Sequence, residues 1–562
     1  MRGVVRIKGF VYEYYSAKSK SLLAFAFALL LILPSFIWIV LDRGIWRGDP
    51  VGYALGSVSL YQKMITDQSL WFRYLFGGYK GPFILWIGQF FVVLGKLIGS
   101  LNFALLLIPL AASFISLVLL FKSFESLFKS KLIAVCGCLA VASSPLFNGL
   151  STGFWVEPIQ VAITSWFIYA MVRTTKWNFY SALSQFIIAL SLAMLIKVSS
   201  PLYIIGPIVA FWFRIFKGNP SMKISGESFL FLAISLLFFL PTAVFYLHNL
   251  KEILAFAHFA ATSPLFGSEA AKLDLWMGNI CNGIFLKNAY CLALLLHLFG
   301  IIKTLKIKSY RNFSLIFVVA FFQIGLFFCA WLRSSNIDPR YFLPALPYFA
   351  ILICWGLAAI NNTIVNILSI AVFLIQFITV SGFSFGVFQI NPSYGMIRPL
   401  IREPERGMNI MHDLMPLAKQ DSAIVFDLNP ELGVAEFQYE LAKQNLTGNW
   451  DKSNVDISSF FNYTHQEIDT GKISVELVWK NLLAYNPDFY ITWNSRLSPQ
   501  LAEKEIKRID VYNAVTVKAR WALAEKMKNC ALYECATLPS YPELLIYKRC
   551  DIQLPGLLKD LH

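Results

Sequence analysis

Two acidic residues that each precede a proline have the types and positions expected of catalytic groups. Asp49 lies just beyond the apolar run of residues 21–41 and is followed by Pro50, and Glu157 precedes Pro158 at the start of another apolar run. An ionised carboxylate at the end of such a run is costly unless it is solvated, paired or used in chemistry. Two that converge could activate a hydroxyl group or hold a divalent cation. The alternative is that both simply begin helices, because an acid followed by proline is a common helix start.

Basic side chains near the ends of other apolar runs have the chemistry that a phosphate group requires. They are Lys80, Lys197, Arg333 and Arg340. Arginine can bind a phosphate through two N–H groups at once, and lysine supplies a compact charge. The alternative for each one, taken singly, is an interfacial side chain whose charged end reaches water. His258, in the loop 248–288, could contact a ligand, but a lone histidine is more often a surface residue.

The elements that must position these residues are membrane-spanning helices. Of the 562 residues, 57% are hydrophobic and 14% are charged, and the mean hydropathy is +0.59, which is more apolar surface than a soluble protein can bury. The first apolar run is about 20 residues long and has no small-residue cleavage site, so we expect a retained span rather than a removed signal peptide. The sequence therefore predicts a polytopic α-helical membrane protein.

The distribution of charge predicts the topology. Twelve apolar runs are candidate spans: 21–41, 83–100, 103–121, 132–148, 158–172, 180–196, 201–216, 228–247, 289–303, 312–332, 340–360 and 363–385. Twelve spans would place basic clusters opposite the basic N-terminus, against the positive-inside tendency. The run 83–100 contains Gln89, Lys96 and three glycines, so it is interpreted as an interfacial helix in the first outer loop, residues 42–102. About eleven spans remain. The N-terminus is expected on the cytoplasmic side of a plasma or inner membrane.

Basic residues are concentrated in the membrane half of the chain. Residues 1–385 contain 29 Lys and Arg against 11 Asp and Glu, whereas residues 386–562 contain 19 against 22. Anionic membrane lipids are the expected partners of this excess. No nucleic-acid module is recognisable in the sequence, so nucleic-acid binding is excluded.

A soluble domain is predicted after about residue 386, where the composition changes. Strands are expected at 423–427, 488–493 and 543–547, with a helix at 431–444, which indicates a small α/β domain. The expected domains are therefore a transmembrane catalytic domain, residues 1–385, and an extracytoplasmic α/β domain, residues 386–562. Asp427, at the end of the first strand, is interpreted as a helix N-cap rather than as part of a sugar site.

Three cysteines lie close together in this tail and are disulfide candidates. Outside the cytoplasm Cys530 could pair with Cys535 or with Cys550, which would leave one thiol over. A zinc site is disfavoured because no fourth ligand lies at a metal-binding spacing.

Four segments of the sequence carry a family resemblance. They are Gly48-Asp49-Pro50, Tyr79-Lys80-Gly81-Pro82-Phe83-Ile84-Leu85-Trp86, Glu157-Pro158, and Arg340-Tyr341-Phe342-Leu343-Pro344-Ala345-Leu346-Pro347. With the hydropathy profile, they resemble the GT-C superfamily of membrane glycosyltransferases, in the branch of protein O-mannosyltransferases and lipid A aminoarabinose transferases. The second segment is similar to the family's Lys-Pro-Pro-Leu-x-x-Trp, and the last is close to its Arg-Tyr-x-x-Pro-x-x-Pro. The resemblance covers residues 1–385.

The resemblance implies a reaction and assigns roles within it. A sugar on polyprenyl or dolichyl phosphate would be transferred, with inversion, to a hydroxyl of a lipid, glycan or protein at the outer membrane face. Asp49 would be the base, Glu157 would orient the acceptor or a cation, and His258 is a candidate acceptor contact. The donor phosphate is assigned to Lys80, Arg340, Tyr341, Lys197 and Arg333. No cofactor is implied beyond a divalent cation that Asp49 and Glu157 could hold.

The sequence departs from the family pattern in the first loop and at the second acid. Pro50 stands where many relatives have another acid, which puts a two-carboxylate site in that loop in doubt. Gly81 replaces the usual first proline, and Glu157 stands in place of the common aspartate.

Two other classes of function suit an outward-facing polytopic protein. A transporter or flippase of lipid-linked glycans would need charged or broken helices near the bilayer midplane, and the apolar runs here are nearly free of charge. A polymerase or ligase of surface polysaccharide is expected to carry its large outer domain between spans rather than at the C-terminus. The transferase is therefore favoured.

Overall fold

The structure is a computed structural model, and its description excludes a set of short segments. They are residues 1, 45, 47, 79, 174–178, 219–225, 263–282, 307–310, 334–337, 389–396, 403–405, 419–421, 428–433, 445–453, 457–473, 495–510, 539 and 553–562. The chain forms two compact units. The first comprises Met1–Asp42, Asp67–Ala261 and Ala270–Leu400, and the second contains Arg43–Thr66 and the chain from Ile401 onward.

The first unit is helical. Its α-helices are Arg2–Leu41, Gln68–Leu75, Phe83–Ile98, Leu101–Phe128, Lys131–Ala142, Pro145–Ser151, Glu157–Arg173, Phe179–Ile196, Ile205–Gly218, Gly226–Thr262, Lys287–Lys306, Arg311–Arg333, Leu346–Ile360 and Thr363–Ser384, with short 3₁₀ helices at Ser200–Tyr203 and Pro339–Ala345. Within the described residues, five segments are long and apolar enough to cross a membrane, or six if the pair bent by 65° at residues 143–144 is one span. The chain is thus an integral membrane protein, and the count of about eleven spans stays a prediction.

The Leu101–Phe128 helix lies at the centre of this unit. It packs against the Arg2–Leu41, Phe83–Ile98, Lys131–Ala142 and Glu157–Arg173 helices. Serine hydroxyls along it donate to backbone carbonyls one turn earlier or meet a neighbouring hydroxyl, as Ser113 Oγ does with Ser151 Oγ at 2.7 Å. Such internal pairing is required where no water is present to satisfy polar groups.

The predicted interfacial helix is present as Phe83–Ile98. Its 16 residues extend about 24 Å at 1.5 Å per residue, less than the roughly 30 Å of a bilayer core. Gln89 is buried and accepts a hydrogen bond from Trp71 Nε1 at 3.0 Å. A polar residue that weakened the span interpretation is therefore satisfied by the preceding loop helix. Its location in the membrane interface stays a prediction.

The second unit contains a five-stranded sheet. The strands are β1 (Ile424–Asp427), β2 (Asn454–Asp456), β3 (Phe489–Trp493), β4 (Tyr533–Leu538) and β5 (Tyr541–Arg549), in the order β2-β1-β3-β5-β4. The β2, β1 and β3 strands are parallel, and β5 pairs antiparallel with both β3 and β4. The described helices are Asp49–Thr66, Arg406–Ala418, Val434–Gln444, Val475–Tyr485 and Val511–Lys528. The three predicted strands and the small α/β fold are confirmed.

One apolar cluster lies on each face of this sheet, because alternate residues of a strand point to opposite faces. Ile424 and Phe426 of β1 pack with the Arg406–Ala418 helix, whereas Val425 packs with the Val475–Tyr485 and Val511–Lys528 helices. The helices therefore cover both faces of the sheet.

Asp427 has a structural role in this sheet. It is fully buried and pairs with Arg520 Nη1 at 3.2 Å, while Tyr490 and Thr492 donate their hydroxyls to its other oxygen. A buried charge needs such partners. Asp427 therefore forms an internal ion pair with Arg520, and residues 428–433, which it is predicted to cap, lie outside the described part.

The three tail cysteines are free thiols in the structure. Cys535 lies opposite Tyr547 in the β4–β5 ladder, and the backbone N–H of Cys550 bonds to Leu532 O. Cys550 lies three residues after Tyr547, the cross-strand neighbour of Cys535, which corresponds to about 10 Å along the chain. This distance is too long for a disulfide between Cys535 and Cys550. The predicted pairings with Cys530 do not form in this structure.

Candidate active site

Glu157 is the centre of a cluster of charged groups in the first unit. It begins the Glu157–Arg173 helix and is fully buried. Lys197 follows the end of the neighbouring Phe179–Ile196 helix, and its Nζ lies 2.7 Å from Glu157 Oε1. The two helices therefore bring an acid and a base together although they are 40 residues apart in sequence.

Arg340 joins the cluster from a third element. It lies in the 3₁₀ helix Pro339–Ala345, which is capped by Asp338: the carboxylate Oδ1 accepts from the backbone N–H of Arg340 at 3.0 Å. The other oxygen, Oδ2, lies 2.8 Å from Arg340 Nε, and Glu157 Oε1 lies 3.9 Å from the same nitrogen. Two acidic and two basic side chains thus converge. Asp338 orients Arg340 by contacting both the backbone N–H and the side chain of the arginine.

Aromatic rings also contact the two cations, Lys197 and Arg340. Lys197 Nζ lies 4.2 Å from the centre of the Tyr341 ring. Arg340 Cζ lies 4.9 Å from the Trp155 ring and 5.5 Å from that of Tyr341. Cations favour the negative face of an aromatic ring. The rings therefore restrict the positions of both charges.

Two tyrosine hydroxyls fix the backbone at Tyr341 through hydrogen bonds. Tyr203 donates its hydroxyl to Tyr341 O at 2.9 Å, and Tyr348 donates its own to Tyr203 O at 2.5 Å. Both donors are buried. The Arg340-Tyr341 segment is therefore anchored by the Ser200–Tyr203 and Leu346–Ile360 helices.

The electrostatics of the cluster leave one acceptor unused. Burial raises the pKa of Asp338 above its ordinary value of 3.8; Arg340 opposes this shift, and the charge of Glu157 adds to it. Glu157 Oε2 is buried and has no hydrogen-bond partner among the described residues. A buried carboxylate oxygen of this kind can accept a hydrogen bond from a ligand hydroxyl.

Gly81 explains how the loop that carries Lys80 meets this cluster. A Cβ atom at Gly81 would lie 2.3 Å from Leu195 O and 2.5 Å from Ile196 C. Only glycine permits so close an approach of two backbones. Gly81 therefore contacts the end of the Phe179–Ile196 helix. The exposed Lys80 immediately precedes Gly81 in the sequence, and Lys197 immediately follows that helix. This gives a physical reason for glycine in place of the family's proline.

Asp49 belongs to the second unit, where it is half-buried at the start of the Asp49–Thr66 helix. Just before it, Gly48 has a φ of +67° and donates its N–H to Glu436 Oε1 at 3.2 Å. Trp46 is stacked on Tyr439, with ring centres 5.5 Å apart. The segment that carries Asp49 is therefore held by the Val434–Gln444 helix of the same unit.

The remaining candidates are less informative. His258 is exposed near the end of the Gly226–Thr262 helix. Arg333 ends the Arg311–Arg333 helix, and its side chain lies outside the described part. In the part of the chain that the structure describes, no group of three or more His, Cys, Asp or Glu residues could hold a metal ion.

Sequence reasoning did not nominate two members of the cluster, Asp338 and Trp155. Each lies two residues before a nominated one, since Asp338 precedes Arg340 and Trp155 precedes Glu157. The signal for Asp338 was the Asp-Pro pair, which is typical of a helix cap. No signal in the sequence distinguished Trp155 from the many other aromatic residues.

Fold and site together define a helical integral membrane protein with a partly buried cluster of acidic and basic side chains at its helix ends. The sequence model of the family described as dolichyl-phosphate-mannose-protein mannosyltransferase matches residues 79–245. The matched part includes Lys80, Glu157 and Lys197. The predicted resemblance to GT-C membrane glycosyltransferases is thereby confirmed.

Two solved structures are similar over much of the chain. They are crystal structures of ArnT from Cupriavidus metallidurans, one bound to undecaprenyl phosphate and one in the apo state. Each is 14% identical with a TM-score of 0.43, over 90% of this chain and 78% and 76% of the respective ArnT chains. No curated protein matches the chain.

Proposed function

We propose that the protein is a membrane glycosyltransferase that takes a sugar from a polyprenyl or dolichyl phosphate and transfers it to an acceptor hydroxyl. The cluster of Glu157, Lys197, Asp338 and Arg340 carries this proposal. Two cations in contact with the buried Glu157, the half-buried Asp338 and aromatic rings suit a phosphate whose charge grows as the sugar leaves. The family match over residues 79–245 supports the same class of reaction.

Each member of the cluster has a proposed part in binding the donor. Arg340 contacts Asp338 and Glu157 through Nε, which is one of the five N–H groups of a guanidinium. Other N–H groups of the guanidinium are proposed to bind the phosphate. Lys197 and the exposed Lys80 add positive charge. The ring of Tyr341 lies against both Arg340 and Lys197. Glu157 and Asp338 act as positioning residues for Arg340 and Lys197.

The transfer step is proposed to use Asp49 as the base. Asp49 takes the proton of the acceptor hydroxyl, and the oxygen attacks the anomeric carbon from the side opposite the phosphate. The bond from that carbon to the phosphate oxygen breaks, and the lipid phosphate leaves with the bonding electron pair. The configuration at the carbon is inverted. Glu157 Oε2 is proposed to accept a hydrogen bond from a sugar hydroxyl, because it is buried without a partner among the described residues.

Binding of the lipid phosphate alone tests the first part of this proposal. Undecaprenyl phosphate is titrated into the purified full-length protein and its Arg340→Ala variant. Loss of charged hydrogen bonds to a phosphate corresponds to about tenfold or more in affinity, so Arg340→Ala is expected to bind at least that much more weakly. Arg73→Ala, at an exposed arginine of the Gln68–Leu75 helix, serves as the control and should bind like the wild type. Equal affinity of wild type and Arg340→Ala would contradict the proposal.

A further inference from the structure

A cavity of about 470 Å³ lies in the first unit where several helices end or begin. The Leu101–Phe128 and Leu346–Ile360 helices end there, and the Lys131–Ala142 and Thr363–Ser384 helices begin there. The residues that line it and carry the argument are Lys129, Ser130, Lys303, Trp355, Asn361 and Asn366. None of them belongs to the cluster around Glu157.

The cavity is far from that cluster. The Leu346–Ile360 helix directly follows the 3₁₀ helix that contains Arg340, and it ends beside Asn361 of the cavity. Its 15 residues extend about 22 Å at 1.5 Å per residue. The cavity therefore lies at the opposite end of this helix from Arg340 and is a separate site.

Two lysine side chains bring positive charge to the cavity. Lys129 and Lys303 both line it, and neither forms an ion pair with a described carboxylate. Two helices begin at the cavity, with Ser130 and Asn362 as caps, and two helices end there. The partial charges of these helix ends have opposite signs and offset one another. The two lysines therefore give the cavity the charge expected of an anion site.

Asn366 indicates that the ligand is more than an anion. It is 8% exposed, lines the cavity, and its Oδ1 is buried with no hydrogen-bond partner among the described residues. A buried amide oxygen is normally satisfied by a donor. A ligand that completes this site would carry a hydroxyl or ammonium group beside its negative charge.

Apolar side chains continue from the cavity along the outside of the bundle. Leu132 lines the cavity and is 39% exposed, and Ile364, next to the lining residue Thr363, is 68% exposed. Farther along the same helix, Ile367 and Leu368 are exposed as well. On a membrane protein such a surface faces hydrocarbon chains. The ligand is therefore expected to carry acyl chains.

We propose that this cavity binds the headgroup of an anionic phospholipid with a hydroxylated headgroup, of the phosphatidylglycerol class. Lys129 and Lys303 hold the phosphate. Asn366 Oδ1 accepts a hydrogen bond from a headgroup hydroxyl, and the acyl chains lie along Leu132 and Ile364. The site is independent of sugar transfer.

Native mass spectrometry of the delipidated full-length protein tests the proposal. The protein is incubated separately with phosphatidylglycerol, phosphatidic acid, phosphatidylcholine and inorganic phosphate. The wild type should bind phosphatidylglycerol most tightly. Lys129→Gln and Lys303→Gln should each weaken that binding by about fivefold, the effect of one lysine near an anionic lipid. Asn366→Leu should remove the preference for phosphatidylglycerol over phosphatidic acid.

Lys122→Gln is the matched control, because it removes a charge from the same Leu101–Phe128 helix at a residue that does not line the cavity. It should bind phosphatidylglycerol like the wild type. Equal weakening by Lys122→Gln, or wild-type affinity in a protein with both Lys129→Gln and Lys303→Gln, would overturn the proposal. Inorganic phosphate that displaces the lipid at equal concentration would show that the site takes free phosphate instead.

Discussion

Glu157 is the residue on which the proposed donor site depends, because one buried carboxylate touches both cations. Its Oε1 lies 2.7 Å from Lys197 Nζ and 3.9 Å from Arg340 Nε. The sequence analysis gave Glu157 two parts, orienting an acceptor or holding a cation. The contacts favour a third part, in which it positions the side chains that bind phosphate.

Replacing Glu157 with glutamine tests this role. Glu157→Gln keeps the size of the side chain but removes the charge that Lys197 and Arg340 share. We expect the KM for the donor to rise about tenfold or more, and the protein to lose about 1–3 kcal/mol of stability because buried groups lose a partner. Donor kinetics and the thermal unfolding of the full-length protein measure both effects.

Glu476→Gln provides the control, because it makes the same change in an exposed ion pair, in which Glu476 Oε1 lies 2.7 Å from Lys526 Nζ. Exposed pairs contribute little, so this variant should behave like the wild type. A Glu157→Gln protein with an unchanged KM for the donor would exclude the positioning role.

Asp338 predicts a dependence of stability on pH. Because burial raises its pKa, the folded protein binds this proton more tightly than the unfolded chain does. Its contribution to stability is therefore fully present below the ordinary pKa of 3.8 and is lost as the pH rises through the raised pKa. Asp338→Asn retains an oxygen for the Arg340 N–H but does not titrate. The melting temperature of wild type relative to Asp338→Asn is expected to increase as the pH falls from neutral toward 4, and a constant or opposite difference would refute this assignment.

At the scale of elements, the site is made by helix ends that meet at a close backbone contact. Trp86 Nε1 donates to Leu75 O, which ties the two ends of the loop that carries Lys80 to each other, and Asn249 Nδ2 of the Gly226–Thr262 helix donates to Phe76 O. Leu195, Phe245 and Ile253 form the apolar cluster beneath it. The loop that carries Lys80 is thus fixed on both sides of Gly81.

Gly81→Ala tests whether this contact matters. The added Cβ would lie 2.3 Å from Leu195 O, so the loop must move away from the helix end at a cost of about 1–3 kcal/mol. Sugar transfer is expected to fall by about tenfold or more, since small displacements of binding groups have large effects on rate. Gly325→Ala, where a Cβ meets nothing within 4 Å, should retain activity. Equal transfer by Gly81→Ala and the wild type would show that the approach is not required.

The elements themselves were largely predictable, and their contacts were not. Alternation and apolar runs identified β1, β3 and β5, because these features are local. Glu157, Lys197 and Arg340 were also nominated, because each is charged at the end of an apolar run. The contacts of Glu157 with Lys197 and Arg340, and the burial of Asp427 against Arg520, depend on how distant segments pack. Local sequence carries no such information.

At the scale of the whole molecule, the residues proposed for the reaction belong to two different compact units. The cluster that suits the donor phosphate lies in the first unit, and the segment of Asp49 belongs to the second. The sequence analysis assigned the first outer loop to the membrane domain, because the loop lies between apolar runs. Contacts of Trp46 and Gly48 with the Val434–Gln444 helix connect residues 43–66 to the tail instead. We therefore propose that the soluble domain supports the catalytic base.

Transfer of radiolabelled sugar in membranes tests the central claim most directly. Membranes that contain the wild type or Asp49→Asn are supplied with polyprenyl-phosphate sugars, and the label is measured in lipid, polysaccharide and protein fractions. Asp49→Asn preserves shape but removes the base, so we expect normal expression, retained binding of undecaprenyl phosphate, and loss of transfer, with the labelled fraction identifying the acceptor. Transfer by Asp49→Asn at the wild-type rate would contradict the assignment of the base, and no transfer by the wild type with any donor would contradict the proposed function.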